Sequence, residues 1–288
     1  MLRIVLLMVL FMIMAFSLVA NLVGERTGRP KVSVVNEVTK GVQKTLNSAD
    51  RIAPDLTGAL DKVDASLGKL TKKVTEGSKD ETSMVRTEFN ISGGDFTSSD
   101  AAKGVFASVT MNKTKFTGAL LDGASFEGAT GAETNFVKAR MSGADFSAAK
   151  LPAADFSGST LSNSAFRASD VGGANFTGAI LTGSSFSGAK IADAKMVKAF
   201  AANSIFVDAK AQGADFSSTD LRSTRFENAN LKDADFSGAD VTGASFAGAK
   251  LQGAKMAGAI GLTGEQLASA CGDASATLPK GLSLSPCE

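Results

Sequence analysis

The side chains most able to do acid–base work are aspartates that recur at one place. Asp145, Asp155, Asp215 and Asp235 each stand immediately before a phenylalanine. Two carboxylates can divide general acid and general base roles when their environments differ. These four, however, follow a pattern that runs through most of the chain, so their placement reports the pattern rather than a catalytic pair. The chain has no His, Trp or Tyr, which removes the commonest general base and most metal sites. No phosphate-binding glycine loop of the Walker or dinucleotide type is present. Cys271 and Cys287 are the only cysteines. They can form a disulfide worth about 3 kcal/mol for a loop of that size or stay as two free thiols, and with no histidine they are too few for a metal site. The reading is a non-enzyme with no catalytic residues, no metal and no cofactor.

What spaces the aspartates is a repeat. From Phe96 to Phe246 a phenylalanine stands at every tenth residue, with Met196 the exception, and this register holds fifteen of the nineteen phenylalanines. Halfway between them come large aliphatic residues such as Met111, Leu121, Met141, Leu151, Leu161 and Val171, so the true period is five. Five fits neither helix nor strand. It fits a chain that turns a corner every five residues, and such a fixed period governs every local reading. Two positions before each large residue the chain is small, as at Ala119, Ala124, Ala129 and Ala144, with Ser or Thr as substitutes. Small and large residues therefore both point inward. Glycine recurs two residues after the phenylalanine, as at Gly118, Gly128 and Gly158, which suits a turn that needs positive φ.

The segments GADFSAAKLPAADFSGSTL and NANLKDADFSGADVTGASF resemble the pentapeptide-repeat proteins, whose motif reads Ala-Asp/Asn-Leu/Phe-Xaa-Xaa. The resemblance covers residues 89–263, about 35 repeats. It implies an all-β solenoid, a right-handed quadrilateral β-helix with four pentapeptides per coil. That makes about nine coils and a rod roughly 40 Å long at about 4.8 Å per coil. The resulting twenty-residue period sorts the interior into columns. One is the core ladder Phe106, Phe126, Phe146, Phe166, Phe186, Phe206, Phe226, Phe246; opposite it run Phe96, Phe116, Phe136, Phe156, Phe176, Met196, Phe216, Phe236 and Met256.

The ladder has one lapse. Around AKMVKAFAANSIF the aliphatic slots hold Ala201 and Ala211, the phenylalanine slot holds Met196, and Phe200 stands out of register. One reading is a bulge in which Met196 and Phe200 refill the lost volume. The other turns Phe200 outward as part of a contact patch with Ile180, on an outer column that also carries Leu120 and Ile260 and is interrupted by Arg140, Asp220 and Asp240.

Four further segments frame the rod. Residues 4–24 carry no charge, follow Arg3 and are closed by Glu25 and Arg26. Such a stretch is long enough for a transmembrane helix across about 30 Å, so residues 1–24 read as a signal-anchor, with a cleavable signal peptide as the competing reading. Within residues 31–76, the series Val42, Leu46, Ala49, Ala53, Leu56, Leu60, Val63, Leu67, Leu70 and Val74 has the alternating spacing of a coiled-coil seam. It predicts a helical stalk that makes the chain a homo-oligomer, or one amphipathic helix lying on the rod or the membrane; Pro54 predicts a kink or a second helix start. Residues 77–88 read as a linker. In residues 264–288, Thr263 and Gln266 form a capping box that opens a helix running to about Cys271, a lid over the last coil. This tail also resembles the C-terminal extension of many bacterial pentapeptide-repeat proteins.

Charge narrows the partners. The whole chain has 30 Lys and Arg against 29 Asp and Glu, and residues 89–265 carry 17 acids and 16 bases. A branch of the resembled family imitates duplex DNA toward topoisomerases, which takes a strongly negative field that this rod lacks. It has no basic stripe for nucleic acid either. The expectation is a scaffold in a bacterial inner membrane, held by its N-terminal helix, with the rod on the periplasmic side and an unidentified protein partner. A soluble exported module is the alternative.

Overall fold

The computed structural model describes residues 90–287. The anchor, stalk and linker expected over 1–24, 31–76 and 77–88 lie outside the described residues. No helix among the described residues is long and apolar enough to cross a membrane.

From Asn90 to Ile260 the chain repeats one unit of turn and isolated bridge, and every bridge is parallel and joins residues twenty apart, from Asn90↔Thr110 to Asp240↔Ile260. Twenty residues therefore make one coil, with four bridges on its four sides. Each pentapeptide turns its corner by a four-residue turn closed by a bond such as Gly94 N–H to Ile91 C=O at 2.9 Å. The third residue of each turn from Gly93 to Gly253 takes positive φ. Glycine fills that place at Gly118 (φ 63°), but Lys113 (φ 56°), Asp193 (φ 56°) and Asn203 (φ 59°) accept it too. Glycine is thus favoured there without being required.

The backbone donor account explains the aspartates. In most repeats four amides find backbone carbonyls, either across the coil gap or within the turn. In the repeat at Asp145 these bonds are Asp145 N–H to Ala124 C=O, Phe146 N–H to Ala165 C=O, Ala148 N–H to Arg167 C=O and Ala149 N–H to Phe146 C=O. The fifth amide, on Ser147, donates to the Asp145 carboxylate at 2.8 Å. Asp155, Asp215 and Asp235 do the same for Ser157, Ser217 and Ser237, each at 2.9 Å. Where the residue before the phenylalanine is Asp or Asn, its side chain is the acceptor for the corner, which is why those residues suit the place.

Inside, both phenylalanine columns are buried, apart from Phe96 at the first coil, which is half-buried. Within a column the rings stack at 4.6 to 5.2 Å, and across the interior the two columns meet edge to face at 5.4 to 5.9 Å. Those are the two geometries aromatic rings prefer. Ser and Thr enter the small slots because their hydroxyls have partners on the spot. Ser169 donates to Phe166 C=O at 2.8 Å and Thr134 to Met111 C=O at 2.9 Å, as buried hydroxyls should; Ser99, in the first coil, is the exception, its hydroxyl having no partner.

The C-terminal lid differs from expectation. Helix α1 spans Gly264–Leu267, four residues, and does not reach Cys271. The exposed edge of the last coil wins over helix propagation. Gly248 N–H bonds Ser269 C=O, Leu251 N–H bonds Cys271 C=O and Cys271 N–H bonds Ala249 C=O, at 2.8 to 3.0 Å. Strand β1 (Cys271–Gly272) then pairs in parallel with β2 (Ser285–Pro286), and Lys255 bridges Thr277. The tail thus continues the ladder and covers strand edges that would otherwise be unpaired.

The capping box forms, and Gln266 does more than close it. Its Oε1 accepts from Thr263 N–H at 2.7 Å, while its Nε2 donates to both Val241 C=O and Ala244 C=O at 2.8 Å. Gln266→Glu keeps the acceptor and loses both donors, leaving two partly buried carbonyls facing a carboxylate. We expect it to destabilise the rod by about 1 to 3 kcal/mol, read as a lower thermal midpoint. An unchanged midpoint would show that the lid's bond to the last coil is idle.

Acid should loosen the rod. Asp95 is held below the ordinary 3.8 by the Thr97 hydroxyl and amide, and Asp220 by hydrogen bonding from the Arg222 guanidinium. At Asp235, burial pushes the pKa up but is outweighed by the Ser237 hydroxyl and amide and by Lys255. Asp273 is lowered by the Ser275 hydroxyl. A carboxylate depressed in the fold contributes stability above its unfolded value, and loses that contribution as pH falls through the folded one. Thermal midpoints should therefore hold level above about pH 5 and drop below about pH 4.

Candidate interaction surface

The five-residue cycle decides which side chains can meet another molecule. In the coil from Met196, the inward slots hold Met196, Ala199, Ala201, Ser204, Phe206, Ala209, Ala211 and Ala214, all buried. Phe200 falls on a bridge position, between Ile180 and Asp220, and bridge side chains point out. It is 55% exposed. The bulge reading is thus overturned. Its backbone keeps the regular bonds, Phe200 N–H to Ala179 C=O at 2.9 Å and Leu181 N–H to Phe200 C=O at 2.7 Å, whereas a bulge would leave ladder groups unpaired.

Ile180 lies one coil away on the same side, 39% exposed, and Ile260 three coils beyond Phe200 is 58% exposed. Among the described residues these are the exposed large hydrophobics, and all three fall on one outer column of the four. Single exposed apolar residues are ordinary on a protein surface; three on one flat face are more informative.

The rest of that column is charged or polar. Arg140 reaches Asp122 at 2.6 Å, and Asp220 accepts from Arg222 at 2.7 Å. Asp240 takes the Thr242 amide at 3.0 Å. The face is thus apolar at its centre, around Ile180 and Phe200, with Arg140 toward one end and Asp220 and Asp240 toward the other, where the Arg222 guanidinium bonds Asp220 and lies 3.9 Å from Asp240.

Of the aspartates weighed for catalysis, Asp215 and Asp235 are bridge partners on adjacent coils, Asp155 stands farther along the same column and Asp145 on another. Each accepts its own corner amide, so the neighbours share one environment and do not divide acid and base roles. Among the described residues no cluster of metal-ligating side chains occurs. Cys271 and Cys287 are joined, with Cα atoms 4.8 Å apart, within the geometry a disulfide requires.

The matches to known proteins fall on this coil pattern. A family description reading "Pentapeptide repeats (8 copies)" matches residues 111–147, 144–183 and 161–196, and a second, "Pentapeptide repeat region", matches 179–256. Together they cover 111–256, or 146 of the 288 residues. The chain belongs to the pentapeptide repeat family. The fold is accordingly that family's right-handed β-helix.

Among solved structures, the chain is similar to the pentapeptide repeat protein Rfr23 from the cyanobacterium Cyanothece 51142, at 22% identity and a TM-score of 0.30 over 33% of this chain. The chain spans 63% of that protein's length. It is similar to QnrB1, a plasmid-mediated fluoroquinolone resistance protein, at 17% identity and a TM-score of 0.32 over 54% of this chain and 90% of the other. A third match is a pentapeptide repeat protein of the Arabidopsis thaliana thylakoid lumen, at 28% identity and a TM-score of 0.23, covering 46% and 76%. No protein of curated function matches the chain.

Sequence reasoning named Ile180 and Phe200 but missed the second role of Gln266 and the acceptor role of the aspartates. The spacing of Asp145 from Ser147 was the available signal, since an aspartate two residues before an amide is a turn pattern.

Proposed function

We propose that this pentapeptide repeat protein is a non-enzymatic, membrane-anchored scaffold. Residues 1–24 hold it in a bacterial inner membrane, residues 31–76 form a self-associating stalk, and the rod presents its outer faces to protein partners on the periplasmic side. The observation that carries the scaffold reading is the use of the repeat's carboxylates. Carboxylates that could do chemistry are used as acceptors for corner amides, while Ile180, Phe200 and Ile260 stay exposed on one outer column. Pentapeptide repeat proteins are in general structural or interaction proteins. Support for display outside the cytoplasm comes from the Cys271–Cys287 bond, which suits an oxidising compartment. The uncharged run of residues 4–24 supports the anchor.

Alkaline carbonate extraction of cell membranes, followed by intact-mass measurement, tests this reading. The anchored scaffold stays in the carbonate-washed pellet at the full 29.4 kDa and leaves only with detergent. Recovery in the soluble fraction, shortened by roughly 20 residues as signal cleavage would leave it, would overturn the anchor and select a released binding module.

A further inference from the structure

The outer column that carries Phe200 is complementary to itself when reversed. Read along the rod, one residue per coil, it runs Leu120, Arg140, Thr160, Ile180, Phe200, Asp220, Asp240, Ile260. Folded about the midpoint between Ile180 and Phe200, each residue meets a suitable mate. Ile180 meets Phe200, the Thr160 hydroxyl meets Asp220, Arg140 meets Asp240, and Leu120 meets Ile260. We propose that this face is a contact between two copies of the chain, packed antiparallel about a two-fold axis that passes between Ile180 and Phe200.

The physical case rests on three points. A two-fold contact must be isologous, so whatever residue i touches on the second copy must be touched in return; a column that is palindromic in character meets that condition. The rows coincide because both copies share one rise per coil, about 4.8 Å. From Leu120 to Ile260 they form a strip roughly 34 Å long, apolar at the centre and charged toward the ends, as interfaces commonly are.

The charges also select the direction. A parallel two-fold packing of the same face would set Asp220 on Asp220, Asp240 on Asp240 and Arg140 on Arg140, and like charges facing each other weaken association. The antiparallel arrangement replaces all three with favourable rows. Arg140 can turn to this partner, because its side chain is 62% exposed and its present mate is the surface carboxylate of Asp122.

Other occupants of the face have less support. An amphipathic helix from residues 31–76 would satisfy the apolar centre and carries acids, Asp61 and Asp64, and bases, Lys69 and Lys72, but it does not account for the match of the column to its own reverse. The contact is independent of the membrane anchor and of any association through the stalk, and it survives if either of those readings fails.

Cysteine crosslinking of the full-length chain in detergent tests it. Arg140→Cys and Asp240→Cys are made in separate chains, and each is treated, alone and after mixing, with a short bis-maleimide whose reach matches the about 10 Å between packed sheet faces. In the antiparallel dimer position 140 lies opposite position 240 of the second copy. Position 140 lies five coils, about 24 Å, from its own counterpart, beyond the reach of that linker. The expected result is at least ten-fold more covalent dimer in the mixture than in either chain alone, with Phe200→Asp added to both chains abolishing it. Thermal unfolding of each variant confirms that the rod is intact, and both substituted positions lie on its surface. Covalent dimer from either chain alone, as parallel packing would give, overturns the proposal. So does the absence of covalent dimer from the mixture, which would assign the face to a foreign partner or to residues 31–76.

Discussion

Replacing Phe146 by alanine should cost about 3 to 5 kcal/mol, the range for emptying a buried aromatic site. Phe146 is fully buried. Its ring is stacked between Phe126 and Phe166, each at 4.7 Å, and meets Phe136 at 5.7 Å and Phe156 at 5.6 Å edge to face. Four aromatic contacts therefore go at once, across coils on both sides. Relaxation is limited because the surrounding backbone is held by coil-to-coil bonds such as Phe146 N–H to Ala165 C=O at 2.6 Å. In a solenoid each coil is supported only by its neighbours, so the loss falls at mid-rod and can divide the melt in two. The expected observation is a fall of the thermal midpoint by roughly 6 to 20 °C or a new early transition. A change under about 1 kcal/mol would mean that the stacked rings do not hold the coils together.

Opening the Cys271–Cys287 bond should have the next largest effect. The bond closes a separation of 16 residues, for which chain entropy predicts about 3 kcal/mol. More than a loop is at stake. The bond draws together β1 and the tail beyond β2, and the tail lays Leu278, Leu282 and Leu284 against the core. Without it the lid loses its tether, the last coil regains an exposed apolar end, and unfolding can start there. Cys287→Ser, or reduction of the native protein, should lower the midpoint by several degrees and let proteolysis enter from the C-terminus first. Equal midpoints with and without reductant would show that the lid holds through its backbone pairing alone.

Most of the rod was readable in the sequence because its period is short and its inward and outward slots do not drift. Phe106 and Phe126 could be assigned to one column by counting twenty, and their rings do stack at 4.8 Å. The capping box at Thr263 was readable because its partners are three residues apart. The length of α1 was not, since its end is set by coil edges at Gly248 and Leu251, some twenty residues away in sequence. The second role of Gln266 was hidden for the same reason: its acceptors lie on Val241 and Ala244.

The candidate surface was half readable. Phe200 could be counted onto the column of Ile180 and Ile260, but the alanines beside it argued for a ring drawn inward to fill space. The backbone ladder settles the competition, because a regular pair of hydrogen bonds at Phe200 is worth keeping even where the interior is thinly filled. Only with all three exposed hydrophobics on one face does the reversed complementarity of Arg140 and Asp240 acquire a meaning.

Everything said of the outer face depends on the register passing unbroken through the coil at Met196, and the thermal unfolding of Phe200→Ala tests that most directly. A ring 55% exposed on a bridge position should cost under about 1 kcal/mol to remove, leaving the midpoint within a few degrees of wild type. A loss comparable to that of Phe146→Ala would put Phe200 in the core and contradict the account.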